Sequence, residues 1–377
     1  MGVSKVDFAG NTLVDLTGDS VTPDTLLEGA TAHNAAGDQI AGAMKKGAEL
    51  KIIVTVTSGA TVAATKGSLS VSGTSVDGTC TLTVPEAGTW SVSAKLGIQT
   101  SDTQMVSLAD EYSATLLFLG PLNDNDWETI RSVSDAGQGA NYWSVGDRKA
   151  VTLNGTVGAL TLSNFTTYAF IIGFNHNSSL EGTNRIHFQL AKDALSGGTD
   201  VCFCDSSYDS TVSATGYFSM NSSRTSAGGW ASSQMRTNIC GTSLSNYSGA
   251  IIAVIPEALR AALKSVTKYT DNMGNGDTTA SAVTATTDYF FLLSEYEVFG
   301  TNARANRNEG DKQAQYAYYS AGNSKIKYKH DETSASAYWW LRSLLSGTTT
   351  SFVLCGVGSV AFERANYSLG FAPGFCV

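Results

Sequence analysis

The stretch Tyr338-Trp339-Trp340-Leu341-Arg342-Ser343 decides how the larger part of this chain is read. On a strand, successive side chains leave opposite faces. Trp339 and Trp340 therefore point to opposite sides, and at least one of them belongs in a core. Arg342 offers a planar fork of donors and no acceptor, so it is expected to tie a loop carbonyl or a carboxylate. Trp339, Trp340 and Arg342 together read as a structural signature, not as a binding surface.

The segments before this signature mix strands with short helices. Residues 126–135 pattern as a helix, with Asp126 able to cap its start and Gly137 to end it. A second helix is expected over 256–269, with Pro256 at its first position and an apolar stripe of Ile255, Leu259, Ala262, Leu263 and Val266. Further short helices are expected over 294–299 and 309–319. Strands are expected over 169–174, 185–190 and 289–293, and a polar loop over 274–287.

Composition supports a β-rich multidomain chain. Of the 377 residues only 15% are charged, 42% are hydrophobic and 38 are glycine, a mix that serves strands and turns better than helical bundles. The formal net charge of -9 disfavours phosphate backbones, so nucleic acid is not an expected partner. No apolar run approaches the roughly 18 residues of a membrane span, so no membrane insertion is expected. The N-terminus has neither the basic start nor the apolar stretch of a secretory signal, which predicts synthesis in a cytoplasm. Cys202 and Cys204 form a Cys-x-Cys pair, while Cys80, Cys240, Cys355 and Cys376 are scattered. Free buried thiols are the expectation, because two spaced pairs of zinc ligands are missing.

Three parts are expected: residues 1–47, 48–118 and 119–377. The first is too short and polar to hold itself together. Its Gly29-Ala30-Thr31-Ala32, a turn at Gly37-Asp38, and Ile40-x-Gly42-x-Met44 resemble a short element of phage tail fibres and baseplate-attached proteins. The resemblance implies docking on another virion protein or on sister chains; a disordered leader is the alternative. Over 48–118 apolar residues alternate at Ile52, Val54, Val56; at Leu69, Val71; at Cys80, Leu82, Val84; and at Trp90, Val92, Ala94, with turn clusters between them. Short strands at this spacing suggest an immunoglobulin-like sandwich, and residues 84–92 resemble small Ig-like spacer domains of surface and tail proteins. Trp90 is expected to fill the core.

Residues 119–377 resemble an uncharacterised family of phage tail and gut-bacterial surface proteins with a C-type-lectin-like fold, related to the target proteins of diversity-generating retroelements. The Trp-Trp-Leu-Arg-Ser run carries the resemblance. Supporting pieces are residues 122–127, 142–147, 290–297, 352–358 and the ending Gly370-Phe371-Ala372-Pro373-Gly374-Phe375. The chain departs from the family pattern at Leu344, where Pro is frequent, and at Ala372, where Arg is frequent. The resemblance implies a β-rich chain made of a small N-terminal attachment segment, an Ig-like β-sandwich and a C-terminal α+β C-type-lectin-like domain. It implies a phage tail adhesin, a receptor-binding protein of the virion. Its expected partners are a bacterial surface glycan or protein and other tail or baseplate proteins, with a homotrimer as the assembly.

Long loops on a rigid β scaffold suit adhesion, and residues 344–369 hold the residue types of a binding surface. Phe362 and Tyr367 are rigid aromatic plates, Thr349 and Asn366 adaptable polar groups, and Arg364 a forked donor. Leu344 and Leu345 would add apolar anchors if exposed. Some of these side chains must instead fill the core, because strands alternate.

No catalytic residues, cofactor or metal site are expected. The chain lacks a Gly-x-Ser-x-Gly elbow, a His-Glu-x-x-His helix and a phosphate-cradling Gly-rich loop. His33, His176, His187 and His330 are widely spaced, and His187 reads as a core residue of a strand. Asn123-Asp124-Asn125-Asp126 could attract calcium, although a helix cap with a turn is the plainer role. Two other functions stay open: a bacterial or prophage surface adhesin, and a tail-associated glycan-degrading enzyme, since two carboxylates suffice for glycoside cleavage.

Overall fold

Period-two patterning builds the first part of the molecule. Leu50–Thr55 pairs antiparallel with Thr79–Val84 and parallel with Glu111–Thr115. A second sheet runs in the order Gln99–Leu108, Gly88–Leu96, Thr61–Lys66, Leu69–Thr74. The alternate residues Ile52, Val54, Cys80, Leu82, Val84, Trp90, Val92 and Ala94 meet in one core between them. Trp90 is fully buried, and its indole N–H donates to the Glu86 carbonyl at 3.1 Å, which satisfies its one polar atom.

The computed structural model describes residues 3–43, 49–97, 99–109, 111–193, 199–208 and 218–377. The chain divides into two units, Met1–Phe118 and Leu119–Val377. Ahead of the two sheets, the first unit holds the hairpins Lys5–Phe8 with Asn11–Asp15 and Thr31–His33 with Gln39–Ala41. Within 3–43 only Gly37 is buried, so this segment has no apolar core of its own. Its tightest point is Gly42, where an added Cβ would lie 2.0 Å from the Leu27 carbonyl oxygen. Only glycine lets these two backbones approach so closely. Met44 lies outside the described residues.

The second unit is organised around a five-stranded sheet in the order Arg148–Val157, Leu160–Phe174, Ile186–Asp193, Gly374–Cys376, Phe290–Phe291. The last strand of the chain thus sits inside this sheet. Helix Trp127–Asp135 begins at Asp126, whose carboxylate accepts the Thr129 N–H at 2.7 Å. Helix Glu295–Phe299 begins with a reciprocal cap between Ser294 and Glu297. Among the described residues, no helix is long and apolar enough to cross a membrane.

Three expectations are corrected. The helix expected over 256–269 stops at Ala262, and Val266–Asp271 is a strand. Its partner Val283–Asp288 lies in the stretch 274–287 read as a loop. In place of one helix over 309–319 there are a short 3-10 turn, Arg307–Asp311, and a one-turn helix, Ala317–Ser320. All six cysteines are buried and unbridged, with the Cys202 and Cys204 sulfurs 3.9 Å apart.

Candidate ligand-binding surface

The signature strand Trp339–Leu344 is buried at every residue. It pairs antiparallel with Ser351–Cys355, itself buried throughout, which pairs in turn with Val360–Arg364 at the edge of the sheet. Trp339 and Trp340 leave opposite faces yet both are fully buried, because protein covers the two sides of this sheet. Their indole N–H groups donate to the carbonyls of Lys325 at 3.1 Å and Phe218 at 3.0 Å.

Arg342 is also fully buried, and its whole fork is engaged. Nη1 and Nη2 donate to the two Glu297 oxygens at 2.5 and 3.0 Å, Nη1 also to the Leu292 carbonyl at 2.8 Å, and Nε to Thr270 Oγ1 at 2.8 Å. A second buried cation, Lys268, donates to Glu181 at 2.6 Å, Glu297 at 2.9 Å and the Tyr316 hydroxyl at 2.8 Å. Burial alone would raise the Glu297 pKa, but Arg342 and Lys268 reverse this and hold it below the ordinary value. Glu181 is pushed up to about 7 by burial, against the pull of Lys268. Glu309, which accepts Ser343 Oγ at 2.7 Å and the Asp271 N–H at 2.9 Å, is likewise pushed up to about 7 by burial.

His176, Glu181 and Glu297 bring one ligand atom each within 4.8 Å of one another, a spacing that could hold a metal. The protein supplies the cation instead: Lys268 already bridges the two carboxylates. Burial, with Lys268 adding to it, lowers the His176 pKa to about 3. Its Nε2 has no hydrogen-bond partner among the described residues and lies 3.8 Å from Glu181. This cluster is a charged core under the sheet.

The residues expected to bind ligand divide between core and surface. Leu344 is buried at 4% exposure, which corrects its reading as an exposed anchor: it closes the signature strand opposite Phe352. Leu345 is half-buried and Thr349 exposed. Phe362 is 43% exposed on the edge strand, with the Arg304 guanidinium 5.5 Å from its ring centre. Arg364, two residues on along that strand, is exposed, and its Nη1 donates to the Tyr367 hydroxyl at 3.0 Å. Tyr367 and Asn366 are half-buried, and the Asn366 side-chain oxygen has no partner among the described residues. Phe362 and Arg364 thus share the outward face of one strand, and Arg364 carries Tyr367 with it.

Sequence reading did not find Glu181, Lys268, Glu297 or Tyr316. The one available signal was the Ser294-x-x-Glu297 capping box, which places Glu297 at a helix start. The contact of Arg304 with Phe362 joins parts of the chain far apart in sequence and left no local pattern.

Residues 211–377, under half of the chain, match a family model described as a domain of unknown function (DUF6273). The match takes in the signature strand and every candidate binding residue. No curated protein matches the chain.

Two outcomes are expected of the charged core. Arg342→Met leaves Glu297 buried with one cation in place of two, and should destabilise the second unit by about 3–5 kcal/mol in denaturant unfolding; a loss under about 1 kcal/mol would show the pair to be dispensable. For Glu309 the folded pKa of about 7 exceeds the ordinary 4.5. Its contribution to stability is therefore full below pH 4.5 and is lost as pH rises through 7. Glu309→Gln removes that loss. The stability of the variant relative to the parent should climb between pH 5 and 8, by on the order of 3 kcal/mol. A flat difference across that range would contradict the raised pKa.

Proposed function

We propose that the chain is a phage tail adhesin that attaches the virion to a bacterial surface glycan or protein, by binding and without catalysis. In this reading the first unit combines a tail-attachment segment with an Ig-like spacer, and the second is a C-type-lectin-like receptor-binding domain. The observation that carries it is the pairing of Phe362 with Arg364 on an outward strand whose inner neighbour is wholly buried, with Tyr367 just beyond the strand held by Arg364. Aromatic plates and a forked cation on a stiff support are the usual composition of a binding hot spot. The attachment reading draws support from Val3, Phe8 and Leu13, which are 61%, 71% and 63% exposed in a segment without a core. Contact with sister chains or another virion protein would cover them. The assembly proposed is a homotrimer.

The test is binding of the labelled full-length chain to intact cells across a strain panel, with its mass followed by light scattering. Phe362→Ala and Arg364→Ala should each weaken attachment about tenfold or more at unchanged melting temperature, and the scattering mass should be three chains. If both variants decorate cells as the parent does, the binding surface is misplaced. Release of soluble oligosaccharides from host wall material would favour a glycan-degrading enzyme instead.

A further inference from the structure

We propose that a cationic cleft in the second unit, lined by Arg131, Arg185, Lys264 and Tyr289, binds an acidic sugar. Nothing in this inference depends on the adhesin reading, and the cleft shares no residue with the Phe362 surface.

The cleft has a volume of about 450 Å³, within the range of roughly 300–1,000 Å³ usual for small-ligand sites. Three cations and a single carboxylate, Asp135, line it, in a chain whose formal net charge is -9. Asp135 is already shared by Arg131 Nε at 2.8 Å and Lys264 Nζ at 2.6 Å, so among the described lining residues one cation's worth of charge is answered and the rest is not.

The two arginines are held by main-chain carbonyls and not by further acids. Arg185 donates from Nε and Nη2 to the Ser265 carbonyl at 3.3 and 3.0 Å, and from Nη1 to that of Thr183 at 2.7 Å. Arg131 donates from Nη1 to the carbonyls of Ala262 and Leu263 at 3.0 and 3.3 Å. Each guanidinium has five N–H donors, so both keep donors in reserve; Arg131 Nη2 makes no hydrogen bond among the described residues. Lys264 differs. Its three protons go to Asp135, the Asn184 carbonyl at 2.6 Å and Ser134 Oγ at 3.1 Å, so it contributes charge more than bonds. Burial lowers the Lys264 pKa first; Asp135 opposes this, and Arg131 and Arg185 add smaller lowering contributions.

Anchored guanidiniums with free edges are suited to carboxylate or phosphate. The same cleft is walled by Tyr289 and Leu244, both half-buried. An aromatic ring and an aliphatic side chain offer nothing to a bare inorganic anion, but they can pack against the C–H face of a pyranose. The combination selects a sugar that carries an anionic group, either a uronate or a sugar phosphate.

Calorimetry with the full-length chain separates these sources. The probes are galacturonate, glucose 6-phosphate, galactose, glucose and inorganic phosphate. At least one of the two acidic sugars should bind, and which one identifies the anionic group. Its affinity should fall about tenfold between roughly 0.05 and 0.3 M salt. The neutral sugars and inorganic phosphate should each bind at least about tenfold more weakly. Arg131→Gln should weaken binding about tenfold. Thr183→Trp, at an exposed side chain that makes no hydrogen bond among the described residues, should block the cleft. Lys95→Gln, on the first unit, should bind as the parent does. Melting temperatures check that each variant is folded. The proposal is overturned if neither acidic sugar binds, if a neutral sugar or phosphate binds equally well, or if folded Arg131→Gln and Thr183→Trp both bind as the parent. Cell attachment, read separately through Phe362 and Arg364, is unaffected by any of these results.

Discussion

The second unit depends on four charges buried together: Arg342, Glu297, Lys268 and Glu181. Taking such groups out of water costs several kcal/mol per ion, and only close pairing with further hydrogen bonds offsets it. Each of these charges comes from a different element. Arg342 lies on the signature strand, Glu297 in a capped helix, Lys268 on the strand Val266–Asp271 and Glu181 on the one-turn helix Ser178–Glu181. A pair of hydrophobic surfaces could slide past one another at small cost, because burial of area is non-directional. A guanidinium fork facing both oxygens of one carboxylate cannot. The network therefore sets the relative position of four elements, and the apolar core fills in around it.

That same network explains which elements could be read from the sequence. In the core cluster of the first unit the alternating buried residues are apolar, and alternation at Ile52, Val54, Cys80, Leu82, Trp90 and Val92 gave the strands directly. Helix Trp127–Asp135 was legible from its cap. The strand Val266–Asp271 was not, although it alternates: Val266, Lys268 and Thr270 all face inward. With lysine and threonine at two of these three inward positions, and Asp271 buried beside them, the period-two signal vanishes. The apolar residues left over, Leu259, Ala262, Leu263 and Val266, fit a helical stripe instead. Long-range pairing with Val283–Asp288 decided the outcome, and it drew that partner out of what had looked like a polar loop.

The candidate surface was half legible for a related reason. Residue type singled out Phe362 and Arg364, which the fold leaves exposed, but type does not tell which face of a sheet is covered. Leu344 is inside because the signature strand is covered on both sides, a fact set by residues such as Leu293, whose carbonyl accepts the Arg342 N–H, and by Phe218, which meets Trp340. The cationic cleft left no trace in sequence at all. Arg131, Arg185 and Lys264 are brought together by packing between segments more than fifty residues apart, each with an ordinary local role as helix, turn or strand flank.

The stretch between the buried strand Ser351–Cys355 and the chain end shows how a rigid core can serve an outward face. The chain leaves the interior after Gly356, exposes Val357, Phe362 and Arg364, and is buried again from Ser368 onward. Its return is held by close backbone approach: a Cβ on Gly370 would lie 2.4 Å from the Cys202 sulfur and 2.8 Å from the Tyr338 carbonyl, and one on Gly374 would lie 2.7 Å from the Phe291 ring. Both ends of the outward segment are thus fixed to parts of the same core, and the edge strand is paired along its length to a buried one. Such a segment has little conformational freedom left to lose, and a preorganised surface loses less to ordering than a mobile one does. Glycine at 370 and 374 is thus a requirement of the outward face as much as of the core.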